Sequence, residues 1–172
     1  MQYQTKVAML QDIPTIQQIA AITWPVAYPY ISESQLNYMM QWMYSTQSLT
    51  EQMQQNHQFF LAYQNFGHHQ VVGFSSVSFT NDVAIFKLNK LYVLPTAQHK
   101  GIGKMLVNTV IEYCTANNAT EIQLQVNRNN EAQLFYKKLG FSILYEADVE
   151  IGNGFFMNDF VMSLKLNSNT KK

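Results

Sequence analysis

The sequence predicts an α/β (α+β) protein: one mixed, mostly antiparallel central sheet of six to seven strands flanked by helices. Three observations predict it. The segments follow the order strand, two or three helices, three strands, helix, strand, helix, strand, strand, which places both element types around one sheet. That order lacks the regular strand–helix repetition of a doubly wound dinucleotide-binding sheet. No internal repeat or linker interrupts the 172 residues, so residues 1–166 are expected to form one domain and residues 167–172 a flexible polar tail.

Gln4 to Leu10 reads as the first strand. Asp12 is placed to cap a helix with Pro14 in its first turn, and Ile13, Ile16, Ile19, Ala20 and Ile22 recur at helical spacing. That helix is expected to stop near Trp24-Pro25, because the residue before proline disfavours helix, and an aromatic loop from Ala27 to Ile31 follows. Ser32 to Gln35 forms a capping-box pattern, and Ser48 with Glu51 suggests another helix start. Phe59–Tyr63, Val71–Phe79 and Ala84–Val93 read as strands, with a turn over Asn65–His69. Ile102, Leu106, Val107, Val110, Ile111 and Cys114 mark an amphipathic helix. Glu121–Val126 is a strand, Asn130–Leu139 a short helix, and Phe141–Glu150 with Phe155–Leu164 a closing strand pair turning at Gly152-Asn153-Gly154.

The charge balance excludes several partner classes. Eleven basic and eleven acidic residues cancel, and Arg128 is the sole arginine, so no basic face for nucleic acid is expected. Cys114 is the only cysteine, which rules out an intrachain disulfide; the four histidines show no paired metal-ligand spacing, so no metal site is expected. Met1 to Leu10 lacks the apolar stretch of a signal peptide, and no run approaches about 18 apolar residues, so a soluble cytoplasmic protein with no membrane contact is expected.

The strongest local signal runs Leu91-Tyr92-Val93-Leu94-Pro95, then Gln98 to Lys104: strand, glycine loop, helix. Glycines allow close backbone approach, and unpaired N–H groups at a helix start bind anions. A phosphate or pyrophosphate at Gly101 to Lys104 is the expectation, with Lys100 and Lys104 adding charge. Close packing alone also explains Gly-x-Gly before a helix, and the segment matches neither the P-loop nor the three-glycine dinucleotide fingerprint. A second signal spans Leu124 to Phe141. An Asn-capped helix with a glycine stop explains Asn130, Gly140 and Phe141, but does not require the Phe135-Tyr136 pair.

Taken together, Gln98-x-x-Gly101-x-Gly103 and Asn130-x-Ala132-x-x-Phe135-Tyr136-x-Lys138-x-Gly140-Phe141 resemble the two cofactor motifs of the GNAT superfamily of acetyl-CoA-dependent N-acetyltransferases. The element order matches as well, so the resemblance covers nearly the whole chain. It implies that the backbone of Leu91, Tyr92 and Val93 pairs with the pantetheine arm of acetyl-CoA. It implies that Gln98, His99, Lys100, Gly101, Ile102, Gly103 and Lys104 cradle the pyrophosphate. Asn130, or Asn129 by another spacing, would contact the cofactor, and Tyr136 would protonate the departing thiolate. A phenol with pKa about 10 can donate to a thiolate whose conjugate acid lies at about 8.5.

The general base does not carry over. Many relatives use a glutamate on the strand before the glycine loop, and Ala84 to Val93 offers Lys87, Asn89 and Lys90 instead. Glu33, Asp82, Glu146, Asp148 or water stay open. Cys114 falls on an apolar helix face and reads as core rather than nucleophile. Trp24, Tyr28 and Tyr30 are the acceptor-pocket candidates, suited to a small-molecule amine by cation–π contact. The region loosely resembles bacterial polyamine acetyltransferases, although Glu33 is the one acid between Trp24 and Tyr44. The expected activity is acetyl transfer to a small-molecule amine. A protein N-terminal or lysine acetyltransferase, and a non-catalytic acyl-CoA sensor, are the alternatives; a homodimer is left open.

Overall fold

The computed structural model describes residues 2–65 and 70–166; His68 and His69, in the turn expected at 65–69, and the expected tail lie outside them. The described residues hold β1 (Tyr3–Val7), α1 (Ile13–Ala27), α2 (Glu33–Tyr44), α3 (Thr46–Gln54), β2 (Gln58–Gln64), β3 (Val71–Phe79), β4 (Ile85–Val93), α4 (Ile102–Ala116), β5 (Glu121–Asn127), α5 (Ala132–Lys138), β6 (Ser142–Gly152) and β7 (Phe155–Lys165). The strands hydrogen-bond in the order β1-β2-β3-β4-β5-β7-β6. The β4–β5 pair is parallel, while β1–β2, β2–β3, β5–β7 and β6–β7 are antiparallel. The fold class is the expected mixed, mostly antiparallel sheet with helices.

The chain forms two compact units, Met1–Ser78 with Lys90–Val110, and Phe79–Asn89 with Ile111–Lys172. In the first, β2 and β3 are buried almost without alternation, from Phe59 to Ala62 and from Val72 to Ser78. Such runs belong to strands covered on both faces. Ile13, Ile16, Ile19, Ala20 and Trp24 of α1 supply one apolar stripe, and Ile102, Leu106, Val107 and Val110 of α4 supply another. In the second unit Phe86, Leu88, Ile122, Leu124, Val126, Val161 and Met162 are buried. The edge strand β6 stays largely exposed, and Glu146, Asp148 and Glu150 blunt it against pairing with other chains.

Four local expectations need correction. The first strand ends at Val7, and Leu10–Asp12 forms a 3-10 turn. Asp12 precedes α1, but its carboxylate accepts from the backbone of Met9 at 2.9 Å and from Lys6 at 3.2 Å instead of capping α1. Helix α1 runs through Pro25 to Ala27. A proline there forfeits one helical bond near the end, whereas the buried Trp24 anchors the last turn and the Tyr28 N–H still reaches the Trp24 carbonyl at 2.9 Å. Helix α3 starts earlier than expected because the Ser45 hydroxyl accepts from the Ser48 N–H at 3.2 Å. Ser32 caps α2 as its pattern predicts, accepting from Gln35 at 3.2 Å.

Candidate functional site

In the first unit, β4 leads through Leu94 and a 3-10 turn, Pro95–Ala97, into the loop and α4. Leu94, Ala97 and Ile102 are buried and pin both ends, while Gln98, His99, Lys100 and Gly101 between them are exposed. His99 has φ 61° and Gly101 φ 80°. A left-handed histidine is a strained conformation costing about 1–3 kcal/mol, the kind that accumulates in ligand loops. Among the described residues nothing lies within 4 Å of a Cβ built on Gly101, which leaves room for a ligand at that backbone. The Gly101 carbonyl accepts from Met105 at 3.0 Å and starts α4, whose first-turn N–H groups have no helical partner. Exposed N–H groups on a left-handed turn at a helix start fit a pyrophosphate.

Side chains of the loop brace it. Gln98 Nε2 donates to the Val93 carbonyl at 3.1 Å, and Lys100 Nζ to the Thr96 carbonyl at 2.9 Å. Lys100 thus closes the turn, while Lys104 stands exposed in the first turn of α4. One residue missed from sequence bears on this strand. A Cβ on Gly73 of β3 would lie 2.7 Å from the Tyr92 carbonyl oxygen and 3.2 Å from Val93 Cγ2. Any side chain there would push away the end of β4 that carries Leu91, Tyr92 and Val93.

The aromatic candidates sit in the same unit. Trp24 belongs to α1, not to a loop, and is buried, with its indole N–H 3.2 Å from the Tyr44 hydroxyl. Its ring lies 4.7 Å from Tyr28, 5.6 Å from Tyr44 and 6.0 Å from Tyr92. The Tyr28 and Tyr92 hydroxyls are 3.2 Å apart. Burial pushes the Tyr44 and Tyr92 phenols well above their ordinary range, so both stay protonated. Tyr30 is 41% exposed and packs edge-on against Tyr28. Lys90, on β4, is buried; its ammonium donates to Gln52 at 2.7 Å and lies 5.3 Å from the Tyr44 ring centre.

The second unit holds the other motif. Tyr136 is buried on α5 between Phe135 and Phe141, at 5.3 and 5.6 Å between ring centres. The Asn130 carbonyl oxygen Oδ1 accepts from the Ala132 N–H at 2.8 Å, and the Asn127 side chain accepts from the Asn129 N–H at 3.0 Å. Asn130 therefore opens α5. Cys114 is fully buried, and burial pushes its thiol up to about 12, which leaves no thiolate for covalent chemistry.

Of the acids left open as bases, Glu146 and Asp148 are engaged by Arg128, the former at 2.6 Å. Asp82 accepts from the Ala84 N–H at 2.9 Å in its turn. Glu33 lies in the first turn of α2, where it favours the helix dipole. The acid that sequence reading passed over is Asp159 on β7. It is 1% exposed, and neither carboxylate oxygen has a hydrogen-bond partner among the described residues. Its signal in the sequence is a lone acid in the apolar strand run Phe155 to Leu164.

Residues 55–143 match the family model described as an acetyltransferase (GNAT) domain. Among solved structures, the PaiA N-acetyltransferase from Thermoplasma acidophilum, in complex with coenzyme A, superposes with a TM-score of 0.79 at 25% identity, over 96% of this chain and 100% of that one. The ribosomal-protein-S18-alanine N-acetyltransferase from Escherichia coli gives 0.71 at 16% identity, covering 95% and 93%. YncA from Salmonella typhimurium, a putative acetyltransferase solved with acetyl-CoA, gives 0.66 at 17%, covering 99% and 97%.

Proposed function

The chain belongs to the GNAT acetyltransferase family and is an acetyl-CoA-dependent N-acetyltransferase; on that premise we propose that its acceptor is a primary amine of a small molecule, acetylated by direct attack. One observation carries the choice of acceptor. Tyr28 and Tyr92 join hydroxyls across a closed cluster with Trp24 and Tyr44, against the strand read as the pantetheine partner. A closed aromatic wall suits a small amine better than a protein terminus, which needs an open groove for its following residues.

Acetyl-CoA supplies an activated acetyl thioester. The N–H groups of His99 to Lys104 hold its pyrophosphate, and the backbone of Leu91 to Val93 takes the pantetheine amides. Asn130, whose side chain is already engaged at the start of α5, is the cofactor contact that the family resemblance implies. Tyr136 gives its phenolic proton to the departing thiolate, a transfer worth roughly 10²–10⁴-fold in rate. Trp24 and Tyr28 shape the acceptor wall, and Tyr30 stands at its exposed rim. The domain doing this is residues 1–166.

The test is a panel of monoamines, polyamines, amino acids, aminoglycosides and N-terminal peptides incubated with acetyl-CoA while free thiol is followed. A small amine is expected to be the best acceptor; peptide acetylation alone would overturn the reading. Tyr136→Phe is expected to bind acetyl-CoA normally and turn over about a hundredfold more slowly, and unchanged turnover across pH would remove the acid role.

A further inference from the structure

Asp159 lies on β7 opposite Asn127 of β5 and Ala147 of β6. Strand alternation puts the side chains of Asn127, Gln125 and Gln123 on its face of the sheet, and Lys87 of β4 pairs with Gln123. Arg128 and its partners Glu146 and Asp148 alternate to the opposite face. Two cations among the described residues share Asp159's face, and Lys165, at the far end of β7, is paired with Glu121, which leaves Lys87. Its ammonium donates to the Gln125 side-chain oxygen and not to Asp159.

A buried carboxylate with two unpartnered oxygens is costly, and natural cores seldom keep one without a use. Half-buried amides and a half-buried lysine surround it on a polar strip of sheet. We propose that Asp159 is a carboxylate for the acceptor amine: it receives the ammonium of a small hydrophilic monoamine on this sheet face and takes its proton. This deepens the amine-acetyltransferase reading and rests on it.

The step balances. The proton moves from R–NH3+ to the Asp159 carboxylate, leaving neutral R–NH2 and a carboxylic acid. The freed lone pair forms the C–N bond to the acetyl carbon as the C–S bond breaks. Tyr136 protonates the thiolate and recovers a proton from the same nitrogen, and Asp159 releases its proton to solvent. From its place on Gln125 the Lys87 ammonium acts on the Asp159 carboxylate through its charge, so it competes with an incoming ammonium for the same carboxylate. Burial pushes the Asp159 carboxyl up to about 6, against the pull of Lys87 and Arg128, so it is ionised at neutral pH yet a far better proton acceptor than an exposed aspartate. A single carboxylate facing a resident lysine suits one ammonium, not a polycation.

Calorimetry on the full chain with ethanolamine, glucosamine and spermidine, alongside acetyl-CoA, tests this. Asp159→Asn is expected to weaken binding of the monoamine acceptor at least tenfold and leave acetyl-CoA binding unchanged. The wild-type kcat/KM for that amine should rise through pH about 6 and then stay level up to the amine's own pKa. In the variant it should climb steadily over that whole range, since only neutral amine then reacts. Lys87→Met, which removes the competing cation, should tighten amine binding several-fold even if Asp159→Asn fails to fold; weaker binding overturns the proposal. Amine binding and pH profile unchanged in Asp159→Asn overturn it while the enzyme reading stands. Amine binding that depends on Asp159 without any acetylation upholds it and overturns the enzyme reading. A wild type that neither binds nor acetylates these amines overturns both.

Discussion

The β5–β7 ladder carries a buried carboxylate at each end, and the two are treated in opposite ways. Glu121 faces Lys165 and also accepts from Ser163 at 2.7 Å and Gln123 at 2.9 Å. Burial alone would raise its pKa, but these donors hold the carboxyl at about 2. Asp159 faces Asn127, has no donor among the described residues, and is raised to about 6. One strand pair, one sheet face and one kind of group thus yield a structural anchor at one end and a destabilising charge at the other. A fold gains nothing from the second unless a ligand completes it, and that contrast separates a stability residue from a site residue where burial does not.

The comparison breaks most visibly in activity. Asp159→Asn is expected to lower kcat/KM for the amine about a hundredfold at pH 7.5, roughly 2.7 kcal/mol, whereas Glu121→Gln leaves the activity of folded enzyme unchanged; steady-state kinetics on both variants decide it. The pH dependence of folding comes next, with opposite signs. The folded pKa of Asp159 lies above the ordinary 3.8, so its contribution is present below about pH 4 and lost as pH rises through 6, about 3 kcal/mol in all. The folded pKa of Glu121 lies below the ordinary 4.5, so its contribution is present above that value and lost as pH falls toward 2. Denaturant unfolding of each variant against wild type from pH 3 to 8 should show each window vanish separately.

Smaller effects refine the two ends. At pH 8, Glu121→Gln should cost about 2 kcal/mol of unfolding free energy, discounted because Lys165 is mostly exposed, while Asp159→Asn should gain about 2 by removing a buried charge. Ser163→Ala should cost about 1 kcal/mol through its one bond to Glu121. A stability loss in Asp159→Asn as large as that in Glu121→Gln would make the two ends alike and end the contrast.

Much of the donor side was legible in the chain itself. Its signals are local: glycines at fixed offsets, a strand ending at proline, and an apolar stripe at helical spacing predict the loop from Gln98 to Gly103 at the start of α4. Pro25 misled because its local effect, one lost bond in a last turn, was outweighed by the burial of Trp24. The aromatic segment was legible as a cluster but not as a wall, because Tyr44 and Tyr92 join it from α2 and β4, distant in sequence.

The sequence by itself determined the family and the strand, glycine loop and helix on which the proposed cofactor site and proton donor rest, because those depend on backbone conformation and residues near one another along the chain. Only the tertiary structure decided what each acid does. Strand register sets Lys165, Ser163 and Gln123 beside Glu121 and gives Asp159 no donor among the described residues, and a carboxylate's charge state depends on which distant groups the fold brings to it or withholds.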